Sequence, residues 1–135
     1  ISGLLSREHG RVIIGINGSH SKRRQRFTIA HELGHLELHR AKELHIDRGF
    51  PVFRRDARSS TATDPAEMEA NAFAAELLMP SAMIHNDLTG AVLDFEDDVF
   101  LRRLADKYEV SLQAMIIRLT RLGVIDDGDG GKLRA

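Results

Sequence analysis

The pentapeptide His31-Glu32-Leu33-Gly34-His35 constrains this chain more than any other feature, because its two histidines can act together only on a helix. Four residues advance an α-helix by about 400°, so both imidazoles project from one side, one turn apart. Glu32 follows His31 by about 100° and lies beside that direction. Two imidazole ligands and an unbound carboxylate base suit a hydrolytic zinc. The spacing therefore predicts that His31 and His35 bind the metal and that Glu32 is the catalytic base.

The alternative is a chance pattern on an amphipathic helix. Here, however, the histidines share a helical face with Phe27 and Leu38, where an uncoordinated imidazole pair would be costly to bury. Gly34 costs a helix about 1 kcal/mol relative to Ala, which indicates that a ligand or another backbone packs closely against it. Both observations favour a metal site.

Residues 4–7 and 11–16 have the composition of two short strands around a turn. Either Ser19 or Ser21 can cap the metal helix, which we expect to cover about 22–41. The segment 42–60 looks irregular, with Val52-Phe53 as a third strand.

Helix boundaries are marked more strongly in the second half of the chain. Asp64 as N-cap and Pro65 as first residue start a helix that Pro80 ends. A further helix opens at Asp94 or Glu96 and ends near Tyr108, and a last one runs from the Ser111 cap to Leu122. We expect one domain over 1–125 and a disordered tail over 126–135.

Composition excludes several classes of protein. The chain has no cysteine, no run of 18 apolar residues and no basic-then-apolar leader, which fits a cytoplasmic protein without a membrane partner. With 19 basic against 20 acidic side chains, it lacks the basic excess of a nucleic-acid binder. Residues 97–122 superficially match a helix-turn-helix, but the second helix would present mostly apolar side chains to DNA.

A third protein ligand is required, and Glu67 and Glu69 compete for that role. Asp64-Pro65-Ala66-Glu67 also matches a capping box, in which Glu67 would reach back to the helix start. Glu69 lies nearer the apolar line of Phe73 and Leu77. Periodicity alone leaves the choice open.

Three spaced blocks resemble the ImmA/IrrE family of metallopeptidases, from residue 1 to about 125. They are Arg26-Phe27-Thr28-Ile29-Ala30-His31-Glu32-Leu33-Gly34-His35, Glu67-Met68-Glu69-Ala70-Asn71-Ala72-Phe73-Ala74-Ala75-Glu76-Leu77-Leu78-Met79-Pro80, and Leu104-Ala105-Asp106-Lys107-Tyr108-Glu109-Val110-Ser111. The resemblance implies an α+β, zincin-like fold, with a small antiparallel sheet packed on a helical core that carries the HExxH helix.

The resemblance also implies particular roles for residues of the second block. The family's third ligand is the glutamate thirteen residues before the proline, which is Glu67 here, so Glu69 becomes the reserve ligand. Asn71 would support a ligand histidine from behind. Relatives of this kind inactivate helix-turn-helix repressors of the Xre type, so the resemblance implies a zinc endopeptidase with such a repressor as its protein substrate.

Two questions stay open at this point. Transition-state stabilisation needs a further donor, and His39 and Tyr108 are the polar candidates, although a surface histidine and a core ring are the simpler interpretations. The competing function is a non-proteolytic antirepressor that binds a transcription factor and uses zinc structurally. Glu32 distinguishes the two, because a structural zinc site needs no base.

Overall fold

A β-hairpin opens the chain, and its turn explains why two short strands can pair so early. In the computed structural model, which describes residues 1–40, 43–48, 64–89 and 98–125, β1 covers Gly3–Glu8 and β2 covers Arg11–Ile16. The strands pair antiparallel with Glu8 opposite Arg11. His9 and Gly10 form the two-residue turn with φ values of 50° and 75°, which is the left-handed geometry that matches the twist of paired strands.

A third strand, β3 (Leu44–Asp47), pairs antiparallel with the other side of β1 and gives the sheet order β2-β1-β3. The register sets Asp47 opposite Gly3, and the Ser2 N–H donates to the Asp47 carbonyl at 2.7 Å. The sequence predicts an irregular segment here and a third strand at Val52-Phe53, which lies outside the described residues. β3 has only four residues, which is too short for an alternation of polar and apolar side chains to predict a strand. It forms because β1 supplies its hydrogen-bond partners.

The helix α1 (Lys22–Leu38) follows the hairpin, and of the two candidate caps the structure uses Ser21, whose hydroxyl accepts from the Arg24 N–H at 3.2 Å. The helix ends three residues before the predicted position, because His39 adopts an extended conformation. The Arg7 guanidinium of β1 donates to the carbonyls of His35 and Leu36 at 3.0 and 3.1 Å. The His35 carbonyl also accepts from the His39 N–H at 2.9 Å, so the contact with Leu36 is the one that supplies a partner to a carbonyl at the helix end.

The helix α2 (Pro65–Leu78) starts as predicted, since the Asp64 carboxylate accepts from the Ala66 N–H at 3.0 Å. It passes α1 closely at Gly34. A Cβ atom added to Gly34 would lie 3.0 Å from Cα of Ala70 and 3.1 Å from Cβ of Phe73. Gly34 therefore lets α2 approach the backbone of α1 beside both histidines, as its helix-breaking cost suggested.

These elements belong to one compact unit, Ile1–Leu77, and a second unit, Leu78–Ala135, contains the remaining helices. In it α3 covers Ser81–Leu88, α4 covers Asp98–Tyr108 and α5 covers Leu112–Arg121. The sequence analysis missed α3 because it took Pro80 only as a stop, whereas Pro80 is also the N-cap of the next helix. The Ser111 cap of α5 is confirmed, since its hydroxyl accepts from the Ala114 N–H at 3.0 Å.

The described residues form an α+β structure with a small antiparallel sheet, which confirms the predicted fold class. None of the helices in the described ranges is long and apolar enough to cross a membrane. Asp94, Glu96 and the predicted tail 126–135 lie outside the described residues, and the single domain over 1–125 stays a prediction.

Candidate metal centre

The two histidines of the pentapeptide point to the same place inside the first unit. Both are buried, and the Nε2 atoms of His31 and His35 lie 3.1 Å apart. The imidazole rings meet edge to face, with centroids 4.7 Å apart. Helical spacing thus brings two nitrogen lone pairs to one point, as the sequence predicted.

Glu67 of α2 faces both imidazoles. Its Oε2 lies 3.0 Å from Nε2 of His31, and its Oε1 lies 3.0 Å from Nε2 of His35. The close approach of α2 at Gly34 makes this possible, because it brings the first turns of α2 beside the histidine face of α1. The structure therefore places Glu67 where a third ligand would be.

Asp47, at the end of β3, supplies a fourth group that the sequence analysis did not identify. Its side chain is 4% exposed, and its Oδ2 lies 3.1 Å from Nε2 of His31 and 3.7 Å from Nε2 of His35. His31, His35, Asp47 and Glu67 each offer one donor atom, and these four atoms lie within 4.8 Å of one another. The only sequence signal was the alternation His45-Ile46-Asp47, which puts two polar groups on one face of a strand.

The donor set fits a divalent metal ion. Donors around a tetrahedral zinc lie about 3.3 Å apart, given bonds of about 2.0–2.1 Å, and the separations of 3.0–3.1 Å between Nε2 of His31 and the other three residues are close to this. Two neutral imidazoles and two carboxylates would neutralise a doubly charged cation, which meets the requirement that buried charges be paired. Imidazole nitrogen and carboxylate oxygen are also ligands that zinc accepts.

The hydrogen bond behind His31 fixes which ring nitrogen is free. Its Nδ1 lies 2.7 Å from Oδ1 of Asn71, an amide oxygen that can only accept, so Nδ1 carries the proton and Nε2 presents its lone pair to the centre. Asn71 is buried on α2, one helical turn after Glu67. Asn71 is thus in hydrogen-bond contact with His31, and its role behind a metal ligand stays a prediction.

A second chain of contacts runs behind His35. Its Nδ1 lies 3.1 Å from Nδ1 of His39, and Nε2 of His39 lies 3.3 Å from Oε2 of Glu69. If Nε2 of His35 binds a metal, its Nδ1–H donates to His39, and His39 donates to the Glu69 carboxylate. The structure therefore places Glu69 and His39 behind His35, and the four-donor group does not include either of them.

Glu32 is fully buried beside this group. Its two carboxylate oxygens form no hydrogen bond with the described residues. A Cβ atom on Gly3 would lie 3.3 Å from Oε1 of Glu32, so the missing side chain of β1 leaves space for the carboxylate. Burial and the neighbouring Asp47 carboxylate raise the pKa of Glu32 to about 9. In the metal-free chain this carboxyl group is therefore protonated near neutral pH, and it could act as a base only once a bound cation lowers its pKa.

Charges within the centre shift the pKa values of its groups in the directions expected of ion pairs. Burial lowers the pKa of His31, but the contacts with Asp47 and Glu67 outweigh it and raise this pKa to about 9. Burial raises the pKa values of Asp47 and Glu67, yet contacts with the histidines hold both well below their usual range. In the metal-free chain, protons on imidazoles supply the positive charge that a metal would otherwise bring.

His45 of β3 is a further polar group that the sequence analysis missed. Its Nε2 lies 2.9 Å from Oε1 of Glu67 and 3.1 Å from Oδ1 of Asp47, and these carboxylates raise its pKa to about 10. Its side chain is partly exposed and lines a cavity of about 260 Å³ together with His35 and Glu67. His45 thus connects the buried donors to a surface cavity.

Tyr108 belongs to the second unit, where its hydroxyl donates to the Asp87 carboxylate. Burial and this contact raise the pKa of Tyr108. Its suggested part in transition-state stabilisation stays a prediction, as does that of His39.

The fold and the centre define an α+β protein with a buried His/His/Asp/Glu group that can hold a metal ion. The chain belongs to the peptidase M78 family, whose model, described as the IrrE N-terminal-like domain, matches residues 2–120. This confirms the resemblance found in the sequence, identifies the fold as zincin-like and supports a metallopeptidase in general. A search of the curated proteins finds no match.

Proposed function

We propose that this protein is a zinc-dependent endopeptidase in which His31, His35 and Glu67 hold the metal and Glu32 is the base. A bound zinc ion would supply a Lewis acid that polarises the scissile carbonyl and lowers the pKa of water to about 7. The observation that carries the proposal is the buried Glu32 carboxylate, which lies beside the donors without a structural hydrogen bond. A purely structural centre has no use for it.

The chain's own residues account for binding and proton transfer. Glu32 takes a proton from the attacking water and delivers it to the leaving nitrogen. Asn71 and the His39–Glu69 pair orient the two ligand imidazoles. Among the described residues, β3 lies at the edge of the sheet, where an extended peptide can add as a strand, and the adjacent 260 Å³ cavity is of a size for a side chain.

The substrate we propose is a helix-turn-helix repressor of the Xre type, cleaved at a specific site to release a stress or mobile-element programme. This assignment is supported by the family resemblance in three sequence blocks, and it goes with a cytoplasmic location. The centre itself is compatible with many peptides, so the repressor must be identified by experiment.

The test is to incubate the zinc-loaded protein with the repressor encoded beside its gene and to follow discrete fragments by mass spectrometry. Glu32→Gln should retain zinc but lower the cleavage rate by about 10²–10⁴-fold, the usual contribution of a general base. Glu37→Gln, an exposed position on the same helix, is the matched control. Full cleavage or full derepression by zinc-loaded Glu32→Gln would exclude the peptidase mechanism.

A second candidate function is the non-proteolytic antirepressor with a structural zinc, and one observation favours it. Asp47 provides a fourth protein donor, and structural zinc sites are closed by four such donors. Under this alternative, Glu32→Gln relieves repression as well as the wild type and no fragment of the repressor appears.

A further inference from the structure

Asp47 stands where a hydrolytic metal centre would be expected to have room for water. Catalytic zinc sites have three protein ligands and keep the fourth position open. Here His31, His35 and Glu67 already make three, and Oδ2 of Asp47 lies as close to Nε2 of His31 as the other donors do. The group is therefore complete without any solvent molecule.

We propose that Asp47 is a fourth, displaceable metal ligand that closes the centre in the resting protein, so that the peptidase is latent until Asp47 withdraws. This inference rests on the proposed function, because it names the regulation of the same metal site. It also reconciles a closed set of four donors with a buried base, a combination that neither an open hydrolytic site nor a purely structural site explains.

Two observations indicate that Asp47 is a ligand and not a bystander. First, its Oδ2 is buried and forms no hydrogen bond with any described residue, although it lies 3.1 Å from His31 and 3.7 Å from His35. In the metal-free chain protonated imidazoles compensate this oxygen, and once the imidazoles are neutral ligands the metal ion takes over that role. Second, one carboxylate leaves a doubly charged cation with one uncompensated charge, whereas Asp47 and Glu67 together balance it.

The other carboxylate oxygen of Asp47 explains how the ligand can be released. Oδ1 lies 3.1 Å from Nε2 of His45, whose side chain is partly exposed at the cavity. Asp47 can therefore give up the metal position while its Oδ1 keeps the contact with His45. Its backbone is held by its pairing with Gly3 of β1 and by the N–H of Ser2, just before β1, so a side-chain rotation is sufficient and the strand need not separate.

Cobalt substitution tests the number of protein ligands independently of activity. The Co²⁺-loaded wild type, Asp47→Ala and Asp47→Asn are titrated with azide while the visible absorption spectrum is recorded. We expect azide to change the spectrum of Asp47→Ala and to bind it at least about tenfold more tightly than it binds the wild type. Asp47→Asn keeps the shape of the side chain and removes its charge, so it replaces Asp47→Ala in this comparison if the alanine variant does not fold. Glu43→Gln, an exposed carboxylate just before β3, is the matched control and should behave as the wild type.

The outcomes separate this inference from the proposed function. If azide binds the wild type as tightly as Asp47→Ala, the fourth position is already open and Asp47 is not a ligand. If the wild type binds no stoichiometric Co²⁺ or Zn²⁺, the metal centre itself is refuted and this inference with it. If the spectra behave as expected and Asp47→Ala cleaves the repressor at least about tenfold faster, both stand. Expected spectra without cleavage by any variant uphold Asp47 as a ligand and refute the peptidase.

Should neither Asp47 variant retain the metal while Glu43→Gln does, the Co²⁺-loaded wild type decides alone. Proton ENDOR spectra in H₂O and in D₂O then show whether a water molecule binds the metal. Strongly coupled exchangeable protons reveal a bound water and overturn the proposal, whereas their absence supports four protein ligands.

Discussion

Each of the two proposed ligand histidines, His31 and His35, has a polar neighbour at both of its ring nitrogens, so contacts outside the centre orient both rings. Asn71 accepts from Nδ1 of His31, and Nδ1 of His35 lies 3.1 Å from Nδ1 of His39, whose Nε2 faces Glu69. Outer partners of this kind commonly change metal affinity by about 10–100-fold. Substitutions of Glu67 and Glu69, the two candidates for the third ligand, should therefore change metal affinity by different amounts. Glu67 contacts both imidazoles directly, whereas Glu69 contacts only His39.

We predict that Glu67→Ala abolishes tight zinc binding, whereas Glu69→Ala weakens it by no more than about tenfold. The physical reason is that removing Glu69 leaves all four donors in place and only loosens the orientation of His35. Zinc affinity is measured by competition with a chromophoric chelator, and Glu37→Gln serves as the control. A loss with Glu69→Ala as large as that with Glu67→Ala would make Glu69 the ligand.

The sequence predicted the relative positions of side chains that share one helix, and it did not predict those of side chains that a strand pairing brings to the centre. The mutual positions of His31, Glu32 and His35 follow from 3.6 residues per turn alone. The choice of Glu67 over Glu69 came from the family resemblance, since both lie on the same helix within a range that periodicity cannot resolve. Asp47 and His45 reach the centre only through the register of β3 on β1, which no local pattern encodes.

At the scale of elements, the separation of α1 and α2 sets the distance between the histidines and Glu67. Gly34 permits that separation, because any Cβ would meet the backbone of Ala70. The sequence indicated a close packing partner for Gly34 but not its identity. The missed helix α3 and the early end of α1 have a different origin, since Pro80 caps a helix as well as ending one and Arg7 of β1 holds the last carbonyls of α1.

We predict that Gly34→Ala destabilises the protein by about 1–3 kcal/mol, although Ala favours a helix over Gly by about 1 kcal/mol. The added Cβ would lie only 3.0 Å from Cα and 3.1 Å from the carbonyl oxygen of Ala70, so α2 must shift and carry Glu67 away from the histidines. The free energy of unfolding, measured with urea, and the affinity for zinc should therefore both decrease.

The control for this variant is Ala72→Gly, at an exposed position of α2. It should cost about 1 kcal/mol of stability through helix propensity and leave zinc affinity unchanged. A Gly34→Ala protein as stable as the wild type, with the same zinc affinity, would show that the helices tolerate a wider separation.

At the scale of the whole molecule, the four donors lie on three elements, α1, β3 and α2, and all of them belong to Ile1–Leu77. A metal ion would therefore cross-link segments that lie up to 36 positions apart in the chain, from His31 to Glu67. A ligand that binds only the folded state stabilises it by mass action. Metal binding should accordingly stabilise the first unit, Ile1–Leu77, more than the second.

We predict that zinc at about 100 times its dissociation constant stabilises the protein by about 2.7 kcal/mol, which corresponds to a rise in melting temperature of about 8 °C. A chelator should reverse this rise, and the double variant His31→Ala/His35→Ala should not show it. Hydrogen exchange should locate the added protection in α1, β3 and α2, and less of it in the second unit. Protection that is spread equally over both units would contradict a site confined to the first.

The position of β3 has a consequence for timing. In the part of the chain that the structure describes, β1 occupies one side of β3 and no strand pairs with the other, yet the same four residues end in Asp47. A peptide that adds to that free side would form its backbone hydrogen bonds within one residue of the carboxylate that closes the centre. Recognition and unlocking would then be one event, so that the metal becomes reactive only while a chain is aligned beside it and bystander proteins are spared between encounters.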